Sequence, residues 1–212
     1  MVKTFGKAAD FTAFRVIDGV IYRIAWAKTM QVERNEDGQE KESSLCDYML
    51  ERYDYRPSMD LVLSDILSSG ENASMAEIKE ISEGLGVEPL GYMRKAMLHY
   101  IDVYDSSLEV NSFILNGMQV WLDKATRVGL MNSTTIAKSM GQQKTTLWLG
   151  SYQLEVECDK AIQLLSALEM YALECFNVTA AHKKAVAELD NIEAVLTYDY
   201  RAGYPEKLTM EV

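Results

Sequence analysis

The sequence lacks the long apolar segments that membrane spans and secretory signals require. No stretch approaches the roughly 18 consecutive apolar residues of a membrane helix, and the opening segment MVKTFGKAADF has no apolar core of signal-peptide length. These absences predict a soluble protein that is made in the cytosol.

Cysteine and histidine are too few and too scattered for a disulfide framework or a zinc site. The three cysteines, Cys46, Cys158 and Cys175, are far apart and odd in number, which favours reduced, buried thiols. His99 and His182 are the only histidines, and neither has a second ligand at metal-binding spacing. The sequence therefore predicts no metal and no cofactor.

Basic residues are outnumbered, with 21 Lys and Arg against 32 Asp and Glu, and the formal net charge is -11. Repulsion at this charge disfavours contact with nucleic acid or an anionic membrane. Residues 113–150 are the exception, because this stretch contains four basic residues and a single aspartate. This stretch indicates an acidic protein surface, such as that of a neighbouring copy, as the partner.

Recognised catalytic motifs are also missing. The chain contains no GxSxG, P-loop, GxGxxG or HExxH sequence. Cys46 and Cys175 have no adjacent base in the sequence that would lower a thiol pKa. His182 could act as a general base, but a structural or surface histidine is the favoured interpretation. We therefore expect no enzymatic activity.

The chain begins with a segment that predicts a β-hairpin. Two β-prone runs within residues 14–26 flank Asp18-Gly19, a dipeptide that accepts the positive φ angles of a tight turn. Residues 32–43 are almost wholly polar and aperiodic, which predicts a mobile loop. Short helical pieces are expected from residue 45 up to Arg56-Pro57, because proline drives the preceding residue out of the helical region.

Three further helices complete the first half. Ser58 is expected to cap a helix that Ser69-Gly70 ends, and Ser74 with Glu77 has the spacing of a capping box. Residues 92–108 keep helical periodicity and predict the longest helix of this half. The hairpin and the helical module form a predicted domain over residues 1–109.

The second half predicts two hairpins, each followed by a helix. Asn116-Gly117 and Gly150-Ser151 lie between β-prone runs, and Asp123 and Asp159 are expected to cap the helices that follow. The fold class is α+β: an N-terminal β-hairpin and helical module, then a ββαββα unit with antiparallel hairpins and a long C-terminal helix over residues 110–212.

Three sequence segments of this second half are recognisable as a set. They are WLDKATRVGLMNS, TTLWLG and LLSALEMYALECFNVTAAHKKAV. Together with Asn116-Gly117, Arg127 and Trp148 they resemble a domain of unknown function in phage and prophage proteins, often tail-associated, over about residues 110–189. The phrases LCDYMLERYDYRPS and YDYRAGYPEKL resemble longer versions from phages of gut Bacteroidales. The resemblance implies a virion or tail-assembly setting and no reaction.

The long helix contains a seam with the alternating four-and-three spacing of coiled coils. Two interpretations stay open. The helix packs on the domain's own sheet and on the helical module, or it self-associates, with polar Thr179 and His182 setting the register. The seam consists of Ala161, Leu165, Leu168, Ala172, Cys175, Thr179, His182, Val186 and Leu189.

Two further groups are interface candidates. Asp123, Lys124 and Arg127 predict a cap with a local ion pair, or else a contact site for a partner chain or an anionic group. The C-terminal tyrosines form either a core rim or an interface patch. They are Tyr198, Tyr200 and Tyr204.

The sequence thus predicts a non-catalytic phage virion or tail protein, structural or adaptor, that binds other phage structural proteins and forms a homo-oligomer. It is expected in the virion, or in the bacterial host cytoplasm during assembly, with neither nucleic acid nor membrane as partner. Two alternatives are a tail-fibre assembly chaperone that the virion does not retain, and an enzyme or host-directed effector with an unrecognised site.

Overall fold

A computed structural model describes residues 2–7, 14–17, 20–24, 29–34, 40–52, 57–68, 73–150 and 152–211, with side chains from residue 57 onward. The chain divides into two compact units: Met1–Tyr100 with Val186–Tyr198, and Ile101–Ala185 with Asp199–Val212. Helices mixed with small sheets confirm the predicted α+β class. The predicted domains, 1–109 and 110–212, stay a prediction.

Unit 1 contains a sheet built around one long strand. β5 pairs antiparallel with β1, β3 and β4, and β2 pairs antiparallel with β3. The five strands are β1 (Val2–Lys7), β2 (Phe14–Ile17), β3 (Val20–Ile24), β4 (Thr29–Arg34) and β5 (Glu40–Arg52).

β4 and β5 correct two predictions. Residues 32–34 and 40–43 are strand rather than loop, and residues 45–52 are strand rather than helix. β5 pairs with its neighbour β4 and also with β1 and β3, which lie farther away in the sequence, and pairing with distant strands overrides local preference. Some predicted features lie outside the described residues: Asp18-Gly19, residues 35–39, residues 53–56, Ser69-Gly70 and Ser151.

The helices of unit 1 are α1 (Met59–Ser68), α2 (Met75–Leu85), the first part of α3 (Pro89–Asp105) and α6 (Ile192–Leu196). The capping box of α2 is confirmed, since Ser74 Oγ accepts from the Glu77 N–H at 3.2 Å and Glu77 Oε2 accepts from the Ser74 N–H at 2.7 Å. α3 begins at Pro89, earlier than predicted, because proline suits the first helical position.

Unit 2 contains the two hairpins. β6 (Phe113–Leu115) pairs antiparallel with β7 (Met118–Val120), and β8 (Lys144–Leu149) with β9 (Tyr152–Glu157). Asn116 and Gly117 both have positive φ, 50° and 77°, as a two-residue turn of this type requires. The short β10 (Thr209–Met210) adds a parallel strand to β6.

Two helices complete unit 2. Asp123 caps α4 (Lys124–Ser139) as predicted, accepting from the Thr126 N–H at 2.9 Å. α5 (Cys158–Glu188) begins one residue before Asp159, so Asp159 lies in its first turn rather than at the cap. Among the helices in the described ranges, none combines the length and the apolar character needed to cross a membrane.

The core of unit 2 lies where α5 packs on the two hairpins. Leucines from β6, β8 and β9 pack against the first five turns of α5 there, so the two hairpins and the helix share one core. Its buried side chains include Phe113, Leu115, Leu147, Leu149, Leu154, Val156, Ala161, Leu164, Leu165, Leu168, Tyr171 and Cys175.

Candidate binding groove on unit 2

The predicted seam of α5 forms part of the core. We define the inward face by Leu165, Leu168, Cys175 and Thr179, all buried. The first three pack in the core of unit 2, and Val186 is likewise buried in unit 1. This corrects their prediction as interface residues, because side chains covered by their own chain offer no surface to a partner helix.

The polar end of the inward face holds the C-terminal segment in place. Thr179 Oγ1 donates to Asp105 Oδ1 at 2.6 Å and lies 2.8 Å from the Tyr204 hydroxyl. The His182 ring stacks on Tyr204, with 5.9 Å between ring centroids, and its Nε2 lies 2.8 Å from the Ala202 carbonyl oxygen. Thr179 and His182 therefore bind their own chain rather than set a register between copies.

The C-terminal aromatic residues of unit 2 contact the end of α3. Tyr200 and Tyr204 meet the Tyr104 ring edge-on at 5.9 and 5.4 Å, and the Arg201 guanidinium lies 5.7 Å from the same ring. Tyr200 and Tyr204 thus belong to the rim of the core. Tyr198 is half-buried and belongs to unit 1.

Lys207 provides a second attachment for the C-terminal segment. Its Nζ donates to the carbonyl oxygens of Leu108 and Glu109, at 2.8 and 2.6 Å, and to Ser112 Oγ at 2.8 Å. One ammonium thus satisfies three acceptors in the turn after α3, immediately before β6.

Arg127 is buried, with 6% of its surface exposed, and it connects α4 to α5. Its Nε donates to Glu169 Oε2 at 2.7 Å and its Nη1 to the Leu122 carbonyl oxygen at 2.7 Å, while the guanidinium lies 5.2 Å from the Trp121 ring. The predicted local pair with Asp123 is wrong. Asp123 is occupied by the cap, where two hydrogen bonds from Thr126 lower the pKa of its carboxyl.

A groove of about 310 Å³ lies beside Arg127, within unit 2. It brings together three of the predicted site residues, Lys124, Arg127 and Cys175, from two helices. Its walls combine aromatic, aliphatic and charged side chains, as binding pockets commonly do. The lining is Asp105, Asn111, Trp121, Lys124, Arg127, Glu169, Ala172, Leu173, Cys175 and Phe176.

The outward side of α5 adds an exposed apolar strip next to the groove. We define this outward strip by Met170, Leu173 and Phe176, whose exposed fractions are 56%, 48% and 65%. Leu173 and Phe176 also line the groove. Leu173 and Phe176 lie outside the predicted seam, and none of Met170, Leu173, Phe176 and Glu169 was predicted from the sequence as part of a site.

The groove's only thiol is poorly suited to nucleophilic chemistry. Burial raises the pKa of Cys175, and a nucleophilic cysteine needs the opposite shift, because the thiolate is the reactive form. Tyr171, which is also buried, has its pKa raised by the same desolvation. Within the described residues, no three His, Cys, Asp or Glu side chains lie close enough together to hold a metal ion.

Comparisons with protein-family models, curated proteins and solved structures found no match to the chain. The resemblance to the phage tail-associated domain therefore stays a prediction from its residues.

Proposed function

We propose that the protein is a non-catalytic component of a phage tail or virion, structural or adaptor, that binds other phage structural proteins through unit 2. The observation that supports this best is the outward strip beside the groove. The proposal includes the finer architecture expected from sequence, a ββαββα unit over residues 110–212 that follows an N-terminal hairpin and helical module. It places the protein in the virion, or in the host cytoplasm during assembly.

The outward strip supports a binding role because its exposed apolar side chains lie next to one another. Single exposed apolar side chains are normal on monomeric proteins, whereas contiguous apolar patches mark interaction sites. Met170, Leu173 and Phe176 follow one another at three-residue spacing, within two turns of a helix whose other side is fixed in the core. A rigid helix loses little conformational entropy on binding, which favours affinity.

The charge at the groove supports a protein partner over nucleic acid. Arg127 is already paired with Glu169, so it has little capacity left for a phosphate. Lys124 contributes a positive charge to the lining, in the basic stretch of an otherwise acidic chain. An acidic protein surface suits this arrangement, and the net charge of -11 repels a polyanion.

Catalysis has less support at this groove than binding. The raised pKa of Cys175 keeps its sulfur protonated near neutral pH, so the groove lacks an activated nucleophile. Arg127 and Glu169 neutralise each other at 2.7 Å rather than acting as free acid and base.

Mass spectrometry of gradient-purified phage particles tests the proposal. We expect the chain at a fixed ratio to other tail proteins, and we expect Leu173→Ser with Phe176→Ser to lower that ratio at least tenfold. Trp148→Ser is the matched control, because Trp148 is 57% exposed and lies outside the groove lining. A chain present in infected cells but missing from particles would contradict a virion role and favour the chaperone alternative.

A further inference from the structure

We infer that the groove beside Arg127 binds a short extended segment of a partner protein, which presents an acidic, an apolar and a basic side chain on one face. The acidic side chain pairs with Lys124, the apolar one packs on Leu173 and Phe176, and the basic one pairs with Asp105. The inference rests on the proposed function, since both place protein binding on unit 2. It adds the chemistry of the bound segment and the spacing of its side chains.

Two charges in the groove lining have no counter-charge of their own. Arg127 and Glu169 neutralise each other, with 2.7 Å between Nε and Oε2. Lys124 and Asp105, by contrast, have no ion-pair partner in the part of the chain that the structure describes. Asp105 accepts from Thr179 with Oδ1, which leaves Oδ2 for a ligand. The groove therefore presents one cation and one anion to an occupant.

These two charges lie at opposite ends of the groove. Lys124 lies one turn before Arg127 on the same face of α4, and Arg127 contacts Glu169 of α5. Asp105 contacts Thr179, which follows Glu169 by about three turns of α5. At a rise of about 1.5 Å per residue, the two ends are roughly 15 Å apart along the helix.

Between its charged ends the groove is mainly apolar. Ala172, Leu173, Cys175 and Phe176 follow one another on α5 there, and Leu173 and Phe176 continue into the outward strip. An apolar side chain placed on them leaves water, which is favourable in proportion to the area covered. The volume of about 310 Å³ is at the lower end for ligand pockets, so it suits a few side chains rather than a large cofactor.

An extended backbone matches the distance between the charged ends. A strand rises about 3.3 Å per residue, so roughly 15 Å corresponds to four or five residues. Side chains on one face of a strand recur at every second residue, which places an acidic, an apolar and a basic residue at alternate positions. A helical segment would need about ten residues for the same length, and ordering more residues costs more conformational entropy.

The opposite charges of the two ends make the groove selective. A segment with two acidic residues would bring a carboxylate against Asp105, and a segment with two basic residues would bring an ammonium against Lys124. Like charges brought together at an interface oppose binding, whereas complementary ones fix the register of the partner. The groove therefore favours a segment that carries one charge of each sign.

A titration of the isotope-labelled full chain with the end-blocked peptide Ac-AEALAKA-NH2, followed by NMR, tests the inference. We expect saturable shifts of the Lys124 and Leu173 amides and of the Trp121 indole N–H, which belong to the groove lining. Ac-AKALAKA-NH2 should bind at least about tenfold more weakly, because its first lysine meets Lys124. The absence of saturable shifts at these groups, or equal affinities for the two peptides, would overturn the inference.

A charge reversal in the groove provides the sharper test. Lys124→Glu should reverse the preference and bind Ac-AKALAKA-NH2 at least about tenfold more tightly than Ac-AEALAKA-NH2. A gained preference cannot come from damage to the fold, and far-UV circular dichroism verifies that the variant is folded. Lys184→Glu is the matched control, because Lys184 is an exposed residue of α5 outside the groove lining and should keep the wild-type order. A Lys124→Glu chain with the wild-type order would overturn the inference.

The outcomes separate this inference from the proposed function. A chain that is present in purified particles but has no preference between the peptides would end the inference and leave the proposed function standing. A chain that has the expected preference but is missing from particles would contradict the virion role and support the assignment of the groove.

Discussion

The two sides of α5 have similar side chains and opposite environments. Leu165 and Leu168 on the inward face are buried among the hairpin residues, whereas Leu173 and Phe176 on the outward strip are about half exposed or more. Both sets repeat at helical spacing. Periodicity therefore reveals apolar stripes on a helix but does not reveal which stripe the same chain will cover.

The largest difference between the two sides should appear in stability. Leu168→Ala removes buried methyl groups and leaves a cavity, and should lower the free energy of unfolding by about 2–5 kcal/mol. Leu173→Ala, the same change on the outward strip, should shift it by less than about 0.5 kcal/mol at concentrations where the chain is monomeric. Urea unfolding followed by circular dichroism measures both. Equal effects would show that the outward strip is covered within the monomer.

Arg127 on α4 binds Glu169 of α5, and replacing Arg127 should have the next largest effect on the free energy of unfolding. Arg127→Met leaves Glu169 and the Leu122 carbonyl oxygen without their donor. Because Glu169 is nearly half exposed, water compensates part of the loss, and we expect about 2 kcal/mol rather than the full cost of breaking a buried pair.

The matched control for that change is Glu169→Gln, which keeps an oxygen acceptor for the Arg127 Nε. It should lower the free energy of unfolding by about 1 kcal/mol or less, since the bond to the Leu122 carbonyl oxygen remains. A Glu169→Gln chain less stable than Arg127→Met would refute the view that Arg127 is the organising residue.

A smaller effect is expected where the inward face becomes polar. Thr179→Val keeps the volume but removes the hydrogen bonds to Asp105 and Tyr204, at an expected cost of about 1–2 kcal/mol. Amide hydrogen exchange should increase in residues 199–211, which this network holds. Asn177→Ala, on the exposed side of α5, should change neither stability nor exchange. Unchanged exchange in Thr179→Val would show that Lys207 alone fixes the tail.

The smallest expected change in the free energy of unfolding appears only at alkaline pH. Burial raises the folded-state pKa of Cys175 and Tyr204 above their ordinary values of 9.0 and 10.0. A raised folded pKa contributes stability that is complete below the unfolded value and is lost as pH rises through the folded one. Stability should therefore fall from about pH 9 upward. Tyr204→Phe should reduce this loss, and Phe176→Tyr, which adds an exposed phenol, should not alter it.

Local features of the fold could be predicted because each depends on a few neighbouring residues. Ser74 and Glu77 bond each other three positions apart, and Asn116-Gly117 supplies both positive φ angles of its turn. The cap by Asp123 has the same local origin. Each signal survives in the folded protein because no distant contact competes with it.

The candidate site was only partly predictable. Lys124 and Arg127 were predicted from their place beside Asp123 at the start of a helix, but the partner of Arg127 was misassigned, because Glu169 lies 42 positions away. No local spacing encodes such a pair. The strand β5 was missed in part for the same reason, since two of its three partners, β1 and β3, come from more distant parts of the chain.

From the sequence alone come the Asn116-Gly117 turn, the cap of α4 by Asp123 and the apolar seam of α5. Which side of α5 becomes core depends on the folded chain. The two hairpins cover Leu165 and Leu168, and the C-terminal segment covers Thr179, so Met170, Leu173 and Phe176 remain at the surface. The physical reason is that apolar burial is non-directional. Any apolar stripe lowers the free energy when it is covered, and the connectivity of the rest of the chain determines which one is.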